Sequence, residues 1–142
     1  MLRYLLAALL SLLPLAARAQ SAVSITDIRQ DQRIEGTVNA GNVKPEDHCV
    51  VVYVHTDIWY IHPFAAEGPD QSWAPISEKR WSIATVKREF PADQVAAVLL
   101  KKDHAGDCPA PARLTTLNGI DRHVGVPFVK SLSRGDPWFN RL

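Results

Sequence analysis

The run Val50-Val51-Val52-Tyr53-Val54-His55-Thr56 constrains this chain more than any other stretch. β-Branched and aromatic residues favour the extended backbone, because their side chains pack well on a pleated surface. The run is continuously apolar where a half-solvated strand would alternate. It therefore predicts a central strand covered on at least one face. Gln94 to Lys102 is a second run of the same kind. No segment beyond residue 19 carries a helical period of useful length.

Shorter strand signals surround these two runs. Val23 to Ile28 and Ile34 to Asn39 alternate, with the polar Arg29 to Arg33 between them, and read as strand, turn, strand. Ala40 to Asp47 carries Gly41, Asn42 and Pro45 and reads as a loop. Asp57 and Ile58 form a short connection to Trp59–Ala65, predicted to pair with the central run as a hairpin. Glu67 to Gln71, with Gly68 and Pro69, is a loop. Ser72 to Ile76 is an expected edge strand, since Pro75 lacks an N–H for a two-sided ladder. After a turn at Ser77 to Arg80, Trp81–Lys87 puts Trp81, Ile83 and Thr85 on one face and Ser82, Ala84 and Val86 on the other. Pro91 to Asp93 is a loop or a single helical turn. Asp103 to Pro111 is a loop holding Cys108, and the tail from Arg113 is weakly patterned, with one candidate strand at Val124 to Leu132. About seven short strands with frequent turn signals predict an all-β fold, a single antiparallel immunoglobulin-like β-sandwich.

The N-terminus has the layout of a secretory signal peptide. Arg3 supplies the positive charge, and Leu5 to Leu15 is apolar except at Ser11 and Pro14. That length is short for a membrane anchor, and Ala17-Arg18-Ala19 is a small-x-small cleavage site. The expected organisation is residues 1–19 as signal peptide, 20–112 as the β-sandwich domain and 113–142 as a C-terminal strand or extension. No later segment is apolar enough to span a bilayer, so no membrane span is expected after processing. Without Arg3 and Arg18, the 16 basic residues become 14 against 15 acidic. That balance gives no reason to expect nucleic acid or an anionic membrane surface as partner. Export, periplasmic or extracellular, exposes Cys49 and Cys108 to an oxidising compartment, where an even count predicts a disulfide. It would close a loop of roughly 60 residues and contribute about 4 kcal/mol on the chain-entropy model.

Three blocks also carry a resemblance. They are Val51-Val52-Tyr53-Val54-His55-Thr56-Asp57-Ile58-Trp59-Tyr60-Ile61-His62-Pro63-Phe64, then Ser72 to Ile76 with Trp81 to Arg88, then Val95 to Leu100. Together they resemble small exported bacterial immunoglobulin-like accessory domains built on "VVVY…TD.WYI.PF", "SW..I…W.I.TV.R" and "VAALLV". The likeness covers roughly residues 23 to 102. It implies a fold and an accessory role, and no particular activity.

Trp59, Tyr60, Phe64, Trp73 and Trp81 crowd one short stretch. Flat rings stack on the apolar faces of sugars, and His62, Asp57 and Gln71 are placed to hold hydroxyls. The competing account is that the rings are core. Alternation puts Trp59, Ile61 and Pro63 on one face and Tyr60, His62 and Phe64 on the other, so at most half the cluster is free for a ligand. The expected ligand contacts are Trp59, Tyr60, His62 and Trp73. His55 and His62 flank the hairpin turn, but no HxH or HExxH spacing accompanies them, nor does His48 or His104 complete a recognisable set; no metal or other cofactor is expected. Asp57, Glu67, Asp70 and Glu78 sit at turns, where solvated carboxylates are ordinary, and no nucleophile or phosphate-loop motif is present. The chain is therefore expected to be a non-catalytic exported binding or accessory domain that recognises glycan or envelope polysaccharide. The alternative is a protein-interaction or structural module of the envelope that uses an edge strand or apolar patch. Arg134-Gly135-Asp136 reads as a turn.

Overall fold

The computed structural model describes residues 20–63 and 72–142. The expected signal peptide lies outside the described residues, as do Phe64, Glu67, Asp70 and Gln71. Among the described residues the protein is all-β and antiparallel, one curled sheet with no α-helix.

The sheet begins with the hairpin of β1 (Val23–Arg29) and β2 (Arg33–Val38), and β2 pairs next with β6 (Arg80–Ala84). β1 does not alternate simply. Its register slips between Ile25 and Asp27, so Thr26 is an extra residue. That bulge changes the phase of the strand and lets Val23, Ile25 and Ile28 all reach the core. On β2, Gly36 lies opposite Trp81. A Cβ at Gly36 would sit 2.6 Å from the indole and 1.8 Å from Ser24 O. Only glycine lets the Trp81 ring lie across the neighbouring strand, with Nε1 donating to Thr37 O at 3.3 Å.

The two continuous runs become β3 (His48–His55) and β7 (Gln94–Lys101), paired along their whole length. β4 (Trp59–His62) folds back on β3 as the expected hairpin. β5 (Trp73–Ser77) corrects the expectation of an edge strand. Its Trp73–Pro75 part pairs with β3 and its Ile76–Ser77 part with β6, so it joins the two halves of the sheet. Each part has a single partner, so Pro75 interrupts no two-sided ladder. In the C-terminal part, β8 (Arg113–Leu114) pairs with β4 and β9 (Phe128–Ser131) pairs with β7. The tail beyond β9 is docked, with Leu132 and Leu142 buried and Trp138 and Phe139 packed on the core. Asp136 of the Arg-Gly-Asp turn is ion-paired with Lys130 at 2.9 Å.

Both faces of β3 and β7 are covered. Val50, Val52, Val54, Val95, Ala97 and Leu99 meet residues of β1, β2 and β6 in one core. Val51, Tyr53, Ala96, Val98 and Leu100 meet a second core under the segment between β7 and β9, which contributes Cys108 and Ile120. Cys49 and Cys108 form a disulfide, and Tyr53 Oη donates to Pro111 O at 2.8 Å. The two links fasten that segment to β3. Burial holds the Tyr53 phenol above its ordinary pKa.

Candidate functional site

Strand pairing decides which expected ligand residues can act together. Trp59 pairs with His55 and is only 7% exposed. Its ring belongs to the second core, edge-on to the His55 ring at 5.1 Å. Trp59 was expected as a ligand platform, and little of its ring is left open for one, because it packs with the segment after β7. His62, also an expected ligand contact, is more buried still. It is 1% exposed, and its Nε2 shares a 2.6 Å hydrogen bond with Thr85 Oγ1. Burial, reinforced by nearby Arg88, pushes its pKa down to about 4. His55 and His62 do not converge. His55 Nδ1 meets Asp93 Oδ1 at 2.7 Å, at the other end of β4 from His62.

Trp73 and Tyr60 remain partly exposed. Trp73 pairs with Val51 and Tyr60 with Val54. Val51 and Val54 belong to opposite faces of β3, so the two rings lie on opposite faces and form no common platform. Trp73 carries Lys102 Nζ over its ring at 5.3 Å. The cleft on that side has a volume of about 660 Å³, and its acids Glu46, Asp47 and Asp103 balance Lys101, Lys102 and Arg122.

Tyr60 is the centre of a more biased arrangement. The Tyr60–Arg113 pairing of β4 with β8 brings Arg113 alongside the ring. The His62–Thr85 hydrogen bond pins the chain after β6, and Arg88 follows three residues later. The two guanidinium carbons stand 5.2 Å (Arg88) and 5.7 Å (Arg113) from the Tyr60 centroid, within cation–π range. At the hairpin turn Asp57 Oδ1 accepts from Tyr60 Oη at 3.0 Å and from Thr56 Oγ1 at 2.9 Å. These hydrogen bonds, Thr56 first, hold the Asp57 carboxyl below its usual range. The Asp57 bond in turn raises the Tyr60 phenol. Tyr60, Ile61, Arg88, Ala112 and Arg113 line a cleft of about 240 Å³.

Of the expected contacts Tyr60 alone lines this cleft, and neither arginine beside it was among them. Arg88 stood inside a quoted motif without a role, and Arg113 lay in the tail with little pattern. No local signal links them, since the link is the pairing of β8 with β4. Among the described residues no three metal-ligating side chains cluster, and no helix is long and apolar enough to cross a membrane. Compared with family models, curated proteins and solved structures, the chain matches none.

Proposed function

We propose that this is an exported, non-catalytic binding domain of the bacterial envelope, an immunoglobulin-like accessory sandwich that holds a polysaccharide at the Tyr60 cleft. The observation that carries this reading is the cleft itself. A partly exposed aromatic ring and two guanidinium groups line a space open to a ligand, and a phenol–carboxylate hydrogen bond fixes the ring's hydroxyl. Such groups offer a sugar both an apolar edge and directional polar contacts. The Cys49–Cys108 disulfide is consistent with export.

The test is saturable binding of the purified protein to a panel of immobilised plant and bacterial polysaccharides. Tyr60→Ala should abolish binding to the recognised polymer while near-ultraviolet circular dichroism stays that of a folded protein. Trp138→Ala, which removes a partly exposed ring elsewhere, should leave binding intact. Binding retained in Tyr60→Ala, or no binding to any polymer, would refute the proposal.

A protein-interaction role rests on a different observation. β9 pairs only with β7 among the described residues, and Val129 on that strand is 48% exposed. An edge with apolar side chains suits pairing with a partner's strand. If Val129→Lys abolishes an envelope-protein contact that Tyr60→Ala leaves intact, the edge strand is the functional surface.

A further inference from the structure

The cleft has a charge preference that a site for neutral sugars does not need. Arg88 and Arg113 lie against one ring. Among the described residues neither has a carboxylate within ion-pair distance, whereas Arg29 is paired with Asp27 and Glu35. Asp57 is the adjacent acid, and its Oδ1 is already engaged by two hydroxyls. A guanidinium packed on an aromatic ring keeps its in-plane N–H groups free, and their fork matches a carboxylate. Two such groups at one cleft make a local positive site. The whole chain's net charge of only +1 cannot create one by general attraction. The volume of about 240 Å³ is below the roughly 300–1,000 Å³ that encloses a whole small molecule. One residue of a polymer fits that scale better than a free metabolite.

Resting on the glycan-binding reading, we infer that the polymer is an acidic polysaccharide, and that Arg88 and Arg113 grip the carboxylate of one uronate residue in the Tyr60 cleft. Tyr60 is then chiefly the holder of the two guanidinium groups, and Asp57 fixes the orientation of the Tyr60 hydroxyl. The carboxylate, rather than ring stacking alone, selects the ligand.

The experiment compares four immobilised polymers with the purified protein at physiological salt. They are polygalacturonate, the same polymer with its carboxyls reduced to neutral alcohols, dextran sulfate and a polyglycerol phosphate. Polygalacturonate should bind at least about tenfold more tightly than its reduced form, the scale of one charge-assisted contact. Arg88→Gln and Arg113→Gln should each remove most of that difference. Arg113→Lys, which keeps the charge and loses the fork, should not restore it. Equal binding of the reduced polymer, lost in Tyr60→Ala, would overturn the acidic selectivity and leave the glycan reading standing. Stronger binding of dextran sulfate or polyglycerol phosphate would overturn carboxylate recognition in favour of a general or phosphate-directed anion site. No binding to these four or to the wider panel would bring down both proposals.

Discussion

His62 sits in a strand whose neighbours are mostly apolar, and at 1% exposure it has no water to charge it. Its pKa of about 4 lies below the value of 6.5 for a free imidazole. Above pH 6.5 both folded and unfolded chains carry it neutral. As pH falls from 6.5 towards 4, the unfolded chain binds a proton that the folded chain refuses, so stability is lost across that window. A shift of this size corresponds to about 3 kcal/mol once pH is below the folded value. Urea unfolding at pH 7 and pH 4.5 should show most of this loss, and His62→Gln should flatten it relative to the parent protein. Parallel pH profiles for the two proteins would refute the assignment. The same residue shows what the sequence leaves hidden. Alternation correctly separated Trp59 from Tyr60 and His62, but it could not say that both sides are partly roofed. Face and exposure are different properties when a central strand is covered twice. Arg88 and Arg113 escaped for the opposite reason, since an isolated arginine near a turn carries no sign of the ring it will meet.

At the scale of elements, the strand runs were legible because β-branched composition and turn residues act locally. The exceptions are places where tertiary pairing sets the geometry. β1 looks like a plain alternating strand, yet Ile25 and Ile28 are three apart and share the core only because of the bulge at Thr26. The turn between β5 and β6 was visible, and its shape was not. Ser77 pairs with Arg80, leaving a two-residue loop in which Glu78 and Lys79 have φ of 50° and 60°. This geometry matches the tight hairpin turn that favours Asn-Gly. A side chain in the left-handed region costs roughly 1–2 kcal/mol unless locally compensated. The double substitution Glu78→Asn, Lys79→Gly should therefore stabilise the protein by about 1–2 kcal/mol. A higher urea midpoint with an unchanged slope is the expected result. Lys79 O, which accepts from Val38 N at 2.8 Å, is backbone and survives the change. A midpoint at or below that of the parent would show that the two residues are not strained there.

For the whole molecule, the decisive feature is the unequal covering of the β3–β7 ladder. One face is closed by strands and the other by a segment with almost no regular structure, which the sequence showed only as a proline-rich loop and a weakly patterned tail. Periodicity could not reveal that cover. Its apolar residues, Cys108, Ala110, Leu114, Leu117 and Ile120, are spaced by the path of a loop and not by a strand repeat. The cysteine pair was the one long-range clue, and it marks where the cover is tied down. Cys49 and Cys108 are 59 residues apart, so opening the bridge should cost about 4 kcal/mol on the chain-entropy model. The loss should also be local. β1 and β2 are held by their own hairpin and by β6, whereas residues 102–120 are held by the bridge, the Tyr53–Pro111 hydrogen bond, the two-residue β4–β8 pairing and the second core. Amide exchange of the Cys49→Ala, Cys108→Ala protein should quicken first in residues 102–120, β8 included, with β1 and β2 slower to follow. Arg113 on β8 would then leave Tyr60, so the polysaccharide binding proposed above should weaken in the same protein while its far-ultraviolet circular dichroism still reports strands. Uniform acceleration across all strands would mean that the two cores unfold as one unit, and that the cover holds the fold as firmly as the sheet does.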